Sequence, residues 1–119
     1  MHNLVNMAIE QAKMSTYLYR HGAVVANKGR MLSCGYNKLK TNPKMYKQYG
    51  YWSVHAECAV LMRASAGDTL VVVRIKKNGS LTCSKPCEKC LRFAKDFGIK
   101  TVVYSDWDGS IKRRRLYEL

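Results

Sequence analysis

The seven residues from Thr69 to Ile75, TLVVVRI, constrain the fold more than any other stretch of the chain. β-Branched side chains are restricted at χ1 and pack well on a pleated surface. An apolar run without polar alternation belongs to a strand covered on both faces. Such a strand calls for a central sheet with helices packed against it.

The rest of the sequence supplies those partners. Residues 3–20 carry Leu4, Val5, Ala8, Ile9 and Ala12 at helical spacing behind Asn3, which suits an N-cap. Two short runs, Ala23 to Ala26 and Met31 to Cys34, flank Asn27-Lys28-Gly29-Arg30 and predict a tight hairpin, closed by Gly35 and Asn37. Residues 38–52, KLKTNPKMYKQYGYW, have no consistent apolar period and read as a long loop. Ser53 suits the cap of a second helix running to about Arg63 and stopped by Gly67. After the TLVVVRI strand and a polar loop, Pro86 fits the first turn of a third helix that ends before Gly98, with Leu91, Ala94 and Phe97 toward the core. Residues 99–104 form another strand, and Asp108-Gly109 turns the chain into IKRRRLYEL, long enough for one more strand but not for a crossover helix. The expectation is an α/β fold with a mixed sheet of about five strands, helices on its faces and a C-terminal β-hairpin. A chain of 119 residues, 47% of them hydrophobic, can build one core, so residues 1–119 are expected to form a single domain.

Charge and cysteine usage narrow the function. Lys plus Arg number 21 against 8 Asp plus Glu, a net charge of +13 that concentrates polyanions such as nucleotides, RNA or DNA, although a solvated basic surface would have the same composition. The N-terminal segment is interrupted by Glu10 and Gln11 and has the pattern of neither a signal peptide nor a membrane span, so a cytoplasmic location is expected. Five cysteines, an odd number, favour reduced thiols and metal ligation over a disulfide framework.

Two helix starts carry the chemistry. His55-Ala56-Glu57 opens one, and Pro86-Cys87-Glu88-Lys89-Cys90 opens the other. One imidazole and two thiolates suit Zn2+, and three protein ligands leave a fourth position for water, as in a catalytic site. Placement at helix N-termini helps keep Cys87 and Cys90 ionised. Glu57, two residues beyond His55, can exchange protons with that water. A closed structural site of His55, Cys58, Cys87 and Cys90 is the rival arrangement, and it leaves Glu57 without a role.

H-x-E followed by P-C-x-x-C is a signature of zinc nucleobase deaminases. With Gly22-Ala23-Val24 and Gly35-Tyr36-Asn37, it makes this chain resemble the cytidine deaminase superfamily from the first helix through Tyr104. The resemblance implies a three-layer cytidine deaminase-like fold, Zn2+ as cofactor on His55, Cys87 and Cys90, and Glu57 as the catalytic proton shuttle. It further implies that Asn37 hydrogen-bonds the sugar or base, that the Ala56 backbone holds the base carbonyl, that Ala23 lines the pocket floor, and that Ser84 and Trp107 contact substrate. The implied reaction converts cytosine to uracil, in a cytidine or deoxycytidine nucleotide or in single-stranded nucleic acid. Deamination of adenosine in RNA, and a nucleic-acid-binding module with structural zinc, are the alternatives. The C-terminal hairpin is similar to free cytidine deaminases and several toxin deaminases, whereas Gly35-Tyr36-Asn37 is similar to deoxycytidylate and polynucleotide members. Small members of the superfamily often form dimers or tetramers, which implies a homo-oligomer. Tyr46, Lys47, Tyr49 and Trp52 in the long loop, and Arg113, Arg114 and Arg115 near the end of the chain, are candidates for stacking on bases and following phosphates. The loop could equally be packed by its own aromatics, and the arginines could form a solvated tail.

Overall fold

The computed structural model describes residues 2–15, 20–37, 60–61 and 67–119. The elements in chain order are α1 (His2–Met14), β1 (Arg20–Asn27), β2 (Arg30–Tyr36), β3 (Thr69–Ile75), β4 (Leu81–Thr82), α2 (Glu88–Phe97), β5 (Thr101–Ser105), β6 (Ile111–Arg115) and a closing 3-10 turn, Leu116–Glu118. The strands form one six-stranded sheet in the order β2-β1-β3-β5-β6, with β4 paired to the end of β3. The β3–β5 pair is parallel, and the other pairs are antiparallel. The mixed α/β sheet expected from the sequence is therefore present.

TLVVVRI is the middle of this sheet, with Leu70, Val71, Val72 and Val73 all fully buried. Because side chains alternate across a strand, Val71 and Val73 face one layer while Leu70 and Val72 face the other. The first layer is α1, whose Leu4, Val5, Ala8 and Ala12 pack on Val24, Val71, Val73 and Val103. The second contains α2, through Cys90, Phe93 and Ala94, together with the helical residues Val60 and Leu61, packed on Ala23, Val25, Leu70 and Val72. α1 lies on β1 at backbone contact distance: a Cβ on Gly22 would run into Ala8 O and Ala12 N. Glycine at that position is what allows the helix and strand to come so close.

Both expected hairpins form. Lys28 and Gly29 have φ of 52° and 82° between the paired Asn27 and Arg30, the positive pair that a two-residue hairpin turn with strand-matching twist requires. The β5–β6 hairpin turns through Asp106–Ser110 with Gly109 at φ 84°.

The boundaries correct the sequence in four places. α1 starts at His2, so Asn3 is inside its first turn and not its cap, and the helix ends at Met14 and not near residue 20. α2 starts at Glu88 with Cys87 as N-cap, which leaves Pro86 ahead of the helix. The stretch expected to be a polar loop contains β4. Phe93, which sequence spacing did not single out, is buried beside Ala94. Ser53 and the loop at residues 38–52 lie outside the described residues. Among the described residues no helix is long and apolar enough to cross a membrane.

Candidate active site

α2 presents the two cysteines. Cys87 has extended backbone angles (φ −70°, ψ 165°) and caps the helix through its carbonyl, which accepts the Leu91 N–H at 2.9 Å, and not through its thiol. Cys90 is three residues further on, so both sulfurs belong to the first turn and the same side of the helix. The positive end of the helix dipole favours negative charge, which suits a pair of thiolates. Cys87 is exposed and Cys90 buried, so the pair spans the step from solvent into the core. Cys90 packs in one cluster with Ala23, Val60 and Leu61. Val60 and Leu61 are therefore buried with α2 on the face of the sheet that carries Ala23. Ala23 itself is fully buried.

His55, Ala56 and Glu57 lie outside the described residues, and so does Cys58. Among the described residues no group of three or more His, Cys, Asp and Glu side chains could hold a metal. The described residues contain the thiolate half of the set: two cysteines one helical turn apart at a helix N-terminus have the donor chemistry and spacing that Zn2+ takes in mixed Cys/His sites.

A buried serine network fixes the segment that delivers Cys87. Ser84 Oγ lies 2.8 Å from the Val72 carbonyl, accepts the Ser105 N–H at 2.8 Å and shares a bond with Ser105 Oγ at 2.8 Å. Ser105 Oγ donates to Thr82 O at 2.6 Å and accepts the Arg74 N–H at 3.2 Å. Ser84 N donates to Ser105 O at 2.8 Å, which completes the tie between the segment and β5. A hydroxyl has one proton, and that of Ser105 goes to Thr82 O. The Ser84 proton is therefore shared between Val72 O and Ser105 Oγ, while a Ser84 lone pair takes the Ser105 N–H. Ser84, a substrate-contact candidate from the sequence, ties β3, β5 and the approach to α2 together. Ser105, its partner, was not singled out from sequence. The one local signal is a polar residue ending a buried β-branched strand.

Asn37 follows β2. Its Oδ1 accepts the Ser15 hydroxyl at 2.7 Å and the His21 N–H at 2.9 Å, and its own N–H donates to His21 O at 3.2 Å. These bonds tie the end of α1 and the start of β1 to the end of β2, and they fix the plane of the amide.

The remaining candidates lie apart from the cysteines in sequence and in element. Trp107 is in the β5–β6 turn, 72% exposed, with its N–H donated to Asp106 Oδ1 at 2.8 Å. In the same turn Asp108 accepts both the hydroxyl and the N–H of Ser110, at 2.6 and 3.0 Å. The hydroxyl bond above all, then the backbone bond, holds its carboxyl below the ordinary range. Arg113, Arg114 and Arg115 are exposed on β6, the edge strand, opposite Val103, Val102 and Thr101. Facing alternates along a strand, so Arg113 and Arg114 point to opposite sides, while Arg115 ends the strand and caps the closing 3-10 turn. Tyr46, Lys47, Tyr49 and Trp52 lie outside the described residues.

Comparison with known proteins gives one family. The model of the cytidine and deoxycytidylate deaminase zinc-binding region matches residues 1–106. A cytidine deaminase from Burkholderia pseudomallei superposes with a TM-score of 0.70 at 18% identity, covering 98% of this chain and 93% of its own. A cytidine deaminase from Mycobacterium tuberculosis gives 0.63 at 21% identity, covering 98% and 90%. A dCMP deaminase from the cyanophage S-TIM5 gives 0.64 at 21% identity, covering 89% and 82%. Compared with curated proteins, the sequence has no match. At these identities the structural likeness shows a shared fold.

Proposed function

The chain belongs to the cytidine and deoxycytidylate deaminase family, and from that premise we propose that it hydrolyses cytosine to uracil, in a nucleotide or in single-stranded nucleic acid, with Zn2+ on His55, Cys87 and Cys90 and Glu57 as proton shuttle. The observation that carries the reading is the first turn of α2, where exposed Cys87 is followed one turn on by Cys90, buried in the same cluster as Val60 and Leu61 a few residues after His55-Ala56-Glu57 in sequence.

The reaction replaces the exocyclic amine on C4 of cytosine with the oxygen of water and releases ammonia. When bound, Zn2+ supplies a Lewis acid that brings the pKa of water near 7. Glu57 takes a proton from water as the water oxygen attacks C4 and passes it to the ring nitrogen beside C4. It then moves the remaining proton of the new C4 hydroxyl to the departing amine, which leaves as ammonia. The Ala56 backbone holds the base carbonyl. With its Oδ1 accepting from Ser15 and His21, Asn37 meets the sugar or base through Nδ2, which carries the donors of the amide. Ala23, on the sheet face that carries Cys90, sets the depth of the pocket.

The antiparallel β5–β6 hairpin favours a free nucleotide, by likeness to free cytidine deaminases. The +13 charge and the Tyr/Lys loop favour a polynucleotide. Ammonia release from cytidine, dCMP, single-stranded DNA and RNA, assayed side by side with zinc-loaded protein, separates the two. Turnover of monomers alone assigns a nucleotide enzyme, and turnover of polymers alone assigns an enzyme of nucleic acid. Release from adenosine in RNA and from no cytosine would reassign the base. Zinc bound without any turnover would make this a binding module.

A further inference from the structure

A second surface begins at the cysteine end of α2 and leads away from it. Glu88, Leu91, Arg92 and Lys95 all line one open groove of about 750 Å3 on α2. Their spacing of three, four and seven residues is that of one helix face. Opposite them the groove is closed by Leu116 and Leu119, with Ile99 at its lower end. Leu91, Leu116 and Leu119 pack against the core, which makes the floor apolar. The rim is cationic: Arg92, Lys95, Lys100 and Arg115 line the groove against the single acid Glu88. None of these four cations forms an ion pair with a carboxylate among the described residues. Arg115 also lines a neighbouring hollow with Thr101, Arg113, Arg114 and Glu118, where three cations meet one acid, so the positive surface continues onto β6. Tyr117, 87% exposed, stands at the margin of the groove.

We infer that this groove binds the phosphate backbone of single-stranded nucleic acid, with Tyr117 as a platform for one of its bases. The occupant follows from the chemistry of the walls. A second copy of the chain brought to the same face would set Arg113, Arg114 and Arg115 against their own kind, and that repulsion opposes pairing along the β6 edge. A polyanion is drawn to the rim, and an exposed aromatic at the edge of an apolar-floored cationic groove suits a ligand with flat bases between its charges. The ten-residue helix spans about 15 Å from the turn that holds Cys87 and Cys90 to the cationic end. A strand in the groove would therefore place nucleotides beside the one at the active site and several ångströms from it. The inference rests on the polynucleotide arm of the proposed function.

The test measures affinity of the zinc-loaded chain for a labelled single-stranded oligonucleotide as a function of salt, with Glu57→Ala added to prevent turnover. Each phosphate neutralised on a single strand contributes about −0.7 to the slope of log K against log salt. The triple substitution Arg92→Ala, Lys95→Ala, Lys100→Ala should make the slope shallower by about 2 and weaken binding roughly a hundred-fold at 0.1 M salt. Removing three exposed cations from the β1–β2 and β3–β4 turns, Lys28→Ala, Arg30→Ala and Lys77→Ala, should change affinity only a few-fold. Tyr117→Ala should weaken binding while Tyr117→Phe retains it. Equal losses from the two triple variants would overturn the inference in favour of a diffuse positive surface. Tighter binding of a poly-glutamate chain than of the oligonucleotide, insensitive to Tyr117→Ala, would assign the groove to an acidic peptide and also overturn it. Failure of the deaminase reading looks different: the oligonucleotide still binds through the groove, yet no cytosine substrate releases ammonia. Turnover of mononucleotides without salt-dependent binding of the oligonucleotide would leave the enzyme and remove the groove.

Discussion

Replacing Ser84 with alanine separates a structural role from a substrate contact. The substitution deletes the bonds to Val72 O and Ser105 N, both 2.8 Å, and the shared bond to Ser105 Oγ, in a residue only 3% exposed. It leaves the Ser105 N–H buried, and Ser105 is fully buried. An orphaned buried donor costs about 1–3 kcal/mol, and the lost bond to Val72 adds about 0.5–1.5 kcal/mol, so Ser84→Ala should destabilise the chain by about 2–4 kcal/mol. For a domain of this size that corresponds to a fall in Tm of about 10 °C. The double variant Ser84→Ala, Ser105→Ala should cost about 1 kcal/mol or more below the sum of the singles, because each single already breaks the shared bond. Thermal unfolding followed by circular dichroism, with steady-state kinetics on the same samples, reads both quantities. A variant that melts with the parent protein while KM rises would refute the network and return Ser84 to the substrate.

Other substitutions probe other parts of the account. Gly22→Ala places a Cβ against Ala8 O and Ala12 N, so α1 must shift; urea denaturation should show a loss of about 3 kcal/mol, and an unchanged midpoint would contradict the close packing of α1 on β1. The Asp108 carboxyl is held below its ordinary value of 3.8 by Ser110, so its contribution to stability is present above that pH and is lost as pH falls through the depressed value. The Tm difference between the parent and Asp108→Asn should therefore shrink on acidification below 3.8, and a widening gap would contradict the assignment. Cys87→Ser and Cys90→Ser should each lower the zinc bound per chain, measured by elemental analysis, and full retention in either would remove that residue from the ligand set.

Much of the fold is legible because its signals are local. TLVVVRI announces a two-sided buried strand, Lys28-Gly29 and Asp108-Gly109 announce turns, and the spacing of Leu4, Val5, Ala8 and Ala12 announces the face of α1. What the sequence hides is either too short or too distant. β4 has two residues and is held by register with Arg74 and Ile75, which no periodicity can report. Pro86 suits a first helical turn, yet the extended backbone of Cys87 delays the helix to Glu88. The bonds of Ser84 reach 12 and 21 residues along the chain, and those of Asn37 reach 16 and 22, so neither role is visible in local spacing. In the site, the two cysteines are readable from P-C-x-x-C and fall on one helical turn, whereas the stripe from Glu88 to Lys95 acquires meaning only when the C-terminal turn is folded against it.

The most direct test of the central claim is ammonia release by Glu57→Ala, with zinc measured on the same preparation. Glu57 is assigned to proton transfer and not to ligation, so the variant should bind zinc as the parent chain does while turnover of the cytosine substrate falls about a hundred-fold or more. Unchanged turnover with zinc in place would contradict the assignment of Glu57 and, with it, the proposed mechanism.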